Sequence, residues 1–173
     1  MAKRFIFFFL LSFIICAGVK SQTGSNDATL KAAFIFNFTK YIDWDTDNGN
    51  NFIIGIIGAS GIDAPLNEIA RTSTVKNKGI IIKHFNSLES IEYCNILFIP
   101  QAAPFPLQSI LSKTAKGMLT ISEEPGLAKQ GTAFNFVLQN DRLKFEANLK
   151  SIYGANLKVS SQLLKLAIII DSQ

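Results

Sequence analysis

Few side chains in this sequence could carry chemistry, and the first is its one histidine, His84. A Ser–His–Asp triad would have to use it. It stands between Lys83 and Phe85 in an apolar, alternating segment, and no G-x-S-x-G elbow precedes a helix, so an exposed strand histidine is the expectation. Glu123 and Glu124 are the only adjacent carboxylates that could divide acid and base roles if their environments pushed their pKa values apart. They run directly into Pro125-Gly126, which reads as a solvated turn. No H-E-x-x-H, C-x-x-C or paired-histidine spacing occurs, so no metal site is expected. Gly55-Ile56-Ile57-Gly58-Ala59-Ser60-Gly61 joins a strand to a helix, but its spacing is not the G-x-G-x-x-G of a dinucleotide loop, and no cofactor is expected. Amides at the start of the following helix could still hold a small anion. No catalytic residue is assigned.

Two places could bind rather than react. Ligands of α/β folds sit in loops at the carboxyl ends of strands. The segment from Ser122 through Glu123, Glu124 and Gly126 to Gly131 is the candidate loop for a small-molecule ligand. The other place is the first helix. Leu30, Phe34, Phe38, Tyr41 and Ile42 form an apolar stripe at helical spacing, and Asn37 within it reads as a buried, hydrogen-bonded amide. Phe36 lies on the opposite side beside Lys40 and Asp43, either covered by another element or presented to a partner. With Trp44 at the helix end, these four residues are the candidate protein contact. Cys94 heads the apolar run Asn95–Ile99 and is expected to be buried rather than bonded to another chain.

The elements that must position these groups follow from pattern and punctuation. Asp27 can cap a first helix over 28–42. The run 52–58 is a strand apolar on both faces, and Asp63 with Pro65 opens a helix ending near Arg71. A strand over 78–85, a short helical stretch over 88–92 and a strand over 95–99 come next. Pro100, Pro104 and Pro106 separate these from a helix over 107–115 and a strand over 118–122. Segments 132–138 and 142–147 meet at Asn140-Asp141 as a β-hairpin, with Phe134, Phe136 and Leu138 on one face. Asn148 can cap a short helix ended by Gly154, and Ser160 a last helix over 161–169. This alternation predicts one α/β sandwich domain: a mainly parallel central sheet of about six strands, an antiparallel C-terminal hairpin, and helices on both faces. Internal repeats are absent.

Residues 1–21 read as a signal peptide: Lys3-Arg4, an apolar run from Phe5 to Ala17, and small residues before Gln22, too short to span a bilayer. Cleavage before Gln22 would leave a domain over 22–173 outside the bacterial inner membrane, in the periplasm. The leader holds Lys3, Arg4 and Lys20, so the 17 basic and 13 acidic residues of the chain fall to 14 and 13, a charge of +1. No basic patch interleaves with aromatics, so nucleic acid is not an expected partner. The mature chain would keep Cys94 as its lone cysteine, which excludes an intrachain disulfide.

Together these segments resemble the YfiR family of bacterial periplasmic proteins, also called YfiR/HmsC-like. The resemblance rests on 31–44 (KAAFIFNFTKYIDW), 54–58 (IGIIG), 94–99 (CNILFI), Gly131 before Phe134-Asn135-Phe136, 142–148 (RLKFEAN) and 157–167 (LKVSSQLLKLA), in that order and spacing. It implies a non-enzymatic regulator. Such proteins hold a membrane diguanylate cyclase inactive by binding its periplasmic part, and release raises cyclic di-GMP and favours biofilm formation. The partner expected here is therefore a separate inner-membrane cyclase or sensor protein. The family often dimerises, so a homodimer is also among the expectations. Its better-known members carry paired cysteines. Cys94 matches one such position without a mate, and disulfide-based redox control is not expected here.

Overall fold

A computed structural model describes residues 23–44 and 49–170. The signal peptide expected at 1–21 and its expected cleavage point before Gln22 lie outside the described residues. Helix α1 spans Thr23–Phe38, beginning before the expected cap and stopping four residues short of Ile42. Asp27 is therefore inside the helix, where its carboxylate meets Lys31 one turn on at 2.6 Å. The helix unwinds at Thr39, whose hydroxyl donates to the Phe36 carbonyl at 2.6 Å and competes with the helical ladder. The chain then leaves as strand β1, Ile42–Trp44, because a remote partner at Leu157–Val159 offers an antiparallel ladder.

The main sheet holds β2 (Asn51–Ile57), β3 (Thr74–Val75), β4 (Lys78–Phe85), β5 (Ile96–Ile99), β6 (Leu119–Ser122), β7 (Phe134–Gln139), β8 (Arg142–Asn148) and β10 (Ile168–Ile170). The strand β9 (Leu157–Val159) belongs to the ribbon with β1. The order across the main sheet is β10-β8-β7-β6-β5-β2-β4-β3. Pairing is parallel from β4 through β2, β5 and β6 to β7, and antiparallel in the β7–β8 hairpin. The mixed α/β architecture is as expected, and the six expected strands form the interior of the sheet. Two edges are additional. β3 folds back on β4 through Lys76 and Asn77, both at positive φ. β10 runs parallel to β8.

Helices α2 (Asp63–Thr72), α3 (Leu107–Leu111), α4 (Leu149–Gly154) and α5 (Ser161–Leu164) complete the fold. Both expected late caps form: Asn148 accepts from the Ser151 amide and Ser160 from the Leu163 amide. The last helix is shorter than expected, because its apolar tail, Ile168–Ile170, serves the sheet edge instead. Residues 88–92 form no helix.

Helices cover both faces. On one, α1 seats Ala32, Ile35 and Phe38 among Phe134, Phe136 and Phe145, joined by residues of α2, α4 and α5. The Phe38 ring lies 4.8 to 6.1 Å from those three rings. On the other, Ile110 of α3 packs with Ile57, Phe85, Cys94, Leu97, Ile99 and Met118. The stripe of α1 differs from expectation: Leu30 is 45% exposed, Tyr41 39%, and Asn37 lies in solvent, accepting from the Lys40 ammonium at 2.9 Å. Shortening the helix moves Tyr41 and Ile42 off it, and the sheet selects the Ala32–Ile35–Phe38 face. Leu138 shares its face with Phe134 and Phe136 but overhangs the hairpin end, 74% exposed.

Candidate functional site

The chain leaves β2 through α2 toward β4, and leaves β5 through α3 toward β6, on the other side. The crevice between the carboxyl ends of β2 and β5 is thus the switch point at which α/β sheets hold ligands. The glycine-rich turn lies there. Gly58 sits at φ 67°, and a Cβ on it would come 3.1 Å from the Pro104 ring. The Ser60 amide donates to the Asp63 carboxylate at 3.2 Å, so the turn's own acid takes the position where an outside anion was expected. His84, exposed at the end of β4, bridges the turn: Nε2 is 3.1 Å from Asp63 Oδ1 and Nδ1 is 3.2 Å from the Gly58 carbonyl oxygen. It ties a strand end to a helix start, and neither contact is a serine hydroxyl.

The loop from Ser122 to Gly131 is fastened from below. Ser122 is fully buried. Its hydroxyl donates to Asn135 Oδ1 at 2.7 Å and lies 2.8 Å from the Thr132 hydroxyl, while Asn135 donates onward to Glu146 at 3.0 Å. Asn148 holds the far end by donating to the Ala128 carbonyl at 2.7 Å. Glu123 is a junction rather than a solvated turn residue: Oε2 receives Lys31 of α1 at 2.7 Å, and Oε1 receives the Gln101 amide at 3.1 Å. Burial opposes the Lys31 charge, but the Asp27 and Glu123 carboxylates outweigh it and raise the ammonium's pKa above the usual lysine value. Glu124 points to solvent, and Gly126 turns the chain at φ 86° with open space around it. Gly131, at φ 121°, lies against Leu111. Of the five loop residues, only Gly131 lines the 240 Å³ cavity, which opens near the start of β6 among Leu111, Thr114, Lys116, Thr120 and Ser151.

The four residues of the expected contact divide into two kinds. Trp44 faces inward: its indole donates to the Asn95 carbonyl at 3.2 Å and meets Phe52 edge to face at 5.1 Å. Phe36 is half-buried against the same core, with the Lys40 ammonium 5.0 Å above its ring. Lys40 and Asp43 instead line an open groove of 430 Å³, with Tyr41, Ile42, Lys76, Lys158, Val159 and Ser160. Asp43 binds Lys76 across the groove at 2.5 Å and stands opposite Lys158 in the β1–β9 register. The Lys76 hydrogen bond, helped by the charges of Lys76 and Lys158, holds the Asp43 carboxyl below its ordinary value. The Lys31–Glu123, Lys76–Asp43 and Asn135 bonds carried no sequence signal, since each joins residues more than ten apart in the chain, and Lys158 comes beside Asp43 only through the β1–β9 ladder.

Cys94 is buried and unpaired, its thiol pushed up to about 12, chiefly by burial. Among the described residues no cluster of three or more histidine, cysteine or acidic side chains could hold a metal ion, and no helix is long and apolar enough to cross a membrane. A family model described as YfiR/HmsC-like matches residues 28–168, from the second turn of α1 to the first residue of β10.

Proposed function

The chain belongs to the YfiR/HmsC-like family, and on that premise we propose that it is a non-catalytic periplasmic regulator. It binds the periplasmic part of an inner-membrane signalling protein of the diguanylate cyclase or sensor kinase type, and so modulates cyclic di-GMP output and biofilm formation. The family match is the observation that carries this reading. The geometry is consistent with it: near the carboxyl ends of the strands, the Ser60 amide is bonded to Asp63, His84 to the Gly58 carbonyl and Glu123 to the Gln101 amide. Control then works by differential affinity. The domain prefers one conformation of its partner, and the change in partner output is bounded by the ratio of the two affinities. Retention of inner-membrane proteins on the immobilised protein, identified by mass spectrometry, tests this. A cyclase or kinase retained in a saturable way supports it, and no specific inner-membrane protein retained overturns it.

A second reading, capture of a small molecule, is favoured by the 240 Å³ cavity that Thr114, Lys116, Thr120 and Ser151 help to line. A ligand there at a hundred times its dissociation constant would add about 2.7 kcal/mol of stability, which thermal-shift screening detects.

A further inference from the structure

We propose that the cavity between the end of α3, the start of β6 and α4 binds a small organic carboxylate, with Thr120, Ser151 and Lys116 as its donors. This rests on the small-molecule reading and names the chemistry of the ligand. The cavity exists because β6 and β7 begin to pair only at Ile121 and Phe134. One residue earlier a side chain stands in for the ladder: Thr120 Oγ1 accepts the Ala133 amide at 2.8 Å. Gly117 ties the turn before β6 to the end of α4 by donating to the Ala155 carbonyl at 2.7 Å. The walls come from residues 111–120, Gly131 and 151–155, none of them next to an undescribed residue.

Thr120 carries the argument. It is 5% exposed and its oxygen is occupied by Ala133, yet its own proton meets no acceptor among the described residues. A buried hydroxyl left so is costly, and accepting from an amide makes it the stronger donor. One water would satisfy that proton, but 240 Å³ has room for about eight at ~30 Å³ each. On α4, half-buried Ser151 has a hydroxyl with no partner among the described residues. Lys116, exposed at the rim, is the one charged group among the described residues of the lining and forms no ion pair with any of them. Thr114 has already given its proton to the Leu111 carbonyl at 2.8 Å. The lining thus offers two hydroxyl donors, an ammonium and no acid, which matches a polar end that only accepts and is negatively charged. Leu111, Ala115 and Met118 make the rest of the wall apolar. That suits a carbon body and weighs against inorganic phosphate, and against a sugar, whose hydroxyls also need acceptors.

Nuclear magnetic resonance titration of the isotope-labelled protein with butyrate, and separately with butyramide and inorganic phosphate, tests this. Butyrate should bind saturably, with shifts concentrated at the amides of residues 114–120, 131–133 and 151–155. Butyramide, of the same shape without the charge, should bind at least about tenfold more weakly. Ser151→Ala, whose amide keeps its bond to Asn148, and Lys116→Gln should each weaken butyrate by about three- to tenfold, while Lys144→Gln on the β7–β8 hairpin changes it by less than about twofold. Shifts spread over all lysines, equal binding of butyrate and butyramide, preference for phosphate, or no saturable shift at the cavity would overturn the proposal. Neutral fragments that occupy the cavity where carboxylates do not would sink the carboxylate and leave the small-molecule reading standing. A fragment library of both kinds with no ligand for the cavity would sink that reading as well.

Discussion

The Lys31–Glu123 pair shows how much one side chain can hold together. Both groups are only 16% exposed, and Glu123 joins α1, the loop after β5 and the end of β6 in one carboxylate. Replacing it with an amide keeps the shape, removes the charge and weakens both bonds. Glu123→Gln should cost about 1–2 kcal/mol in urea unfolding at neutral pH. Because the folded state raises the Lys31 pKa, this stabilisation is complete below lysine's ordinary value and lost as pH climbs through the raised folded one. Wild type should therefore lose stability in the alkaline range above 10.5, and the variant, lacking one of the two carboxylates, should lose less. Equal midpoints for the two proteins at neutral pH would refute the role. The sequence suggested a solvated turn for Glu123 because its neighbours are Glu124 and Pro125-Gly126. Its partner lies 92 residues away, where no local pattern reaches. Cys94 fared differently: its place at the head of an apolar run foretold its burial. A Cβ on Gly55 would come 3.0 Å from its sulfur and 2.4 Å from the Phe85 ring, so the glycine is what lets that core close.

Elements whose ends carry their own signal formed where the sequence put them. Asn140 and Asp141 adopt the paired positive φ of a two-residue hairpin turn, and Asn148 caps α4 as its position suggested. The Asn148 amide does more than cap, since it also holds the Ala128 carbonyl while almost fully buried. Asn148→Ala should thus cost roughly 2–3 kcal/mol, more than a surface cap, because it strands a helix amide and also removes a buried hydrogen bond to the Ala128 carbonyl, which keeps only the Gly131 amide. Thermal melts of Asn148→Ala and Asn148→Asp separate the two contributions: Asp keeps the cap acceptor and loses the donor. Indistinguishable melts for wild type and Asn148→Ala would refute this. Elements without such signals went elsewhere. Ile42–Trp44 and Ile168–Ile170 continue helical spacing in the sequence, yet each found a strand partner. For short apolar runs the periodicity is ambiguous, and the vacancy at a sheet edge decides.

At the scale of the molecule, β10 closes the flank of the sheet that β8 would otherwise expose. It is only three residues long, which limits the free edge that it presents in turn. A chain ended at Ala167 would leave the outer ladder of β8 without a partner. Light scattering across a concentration series should show it associating at concentrations where the full chain does not. A truncated chain that scattered like the full one would mean that β10 adds nothing to edge protection. Partner capture also belongs to this scale. The groove exists only because the residues after α1, the β3–β4 turn and β9 are brought side by side.

The sequence by itself determined the class of the fold and the six interior strands, because burial on both faces and turn residues are written locally. It also determined the burial of Cys94, the hairpin turn and the two late helix caps, and the ordered motifs of 31–167 carried the family. Tertiary structure alone decided where α1 ends, that Asn37 is exposed and Trp44 turned inward, what Glu123 holds, and that Lys76 and Lys158 come to Asp43. Each of those depends on a contact between segments distant in the chain, and a side chain's role is set by the group it meets once packing has chosen its face.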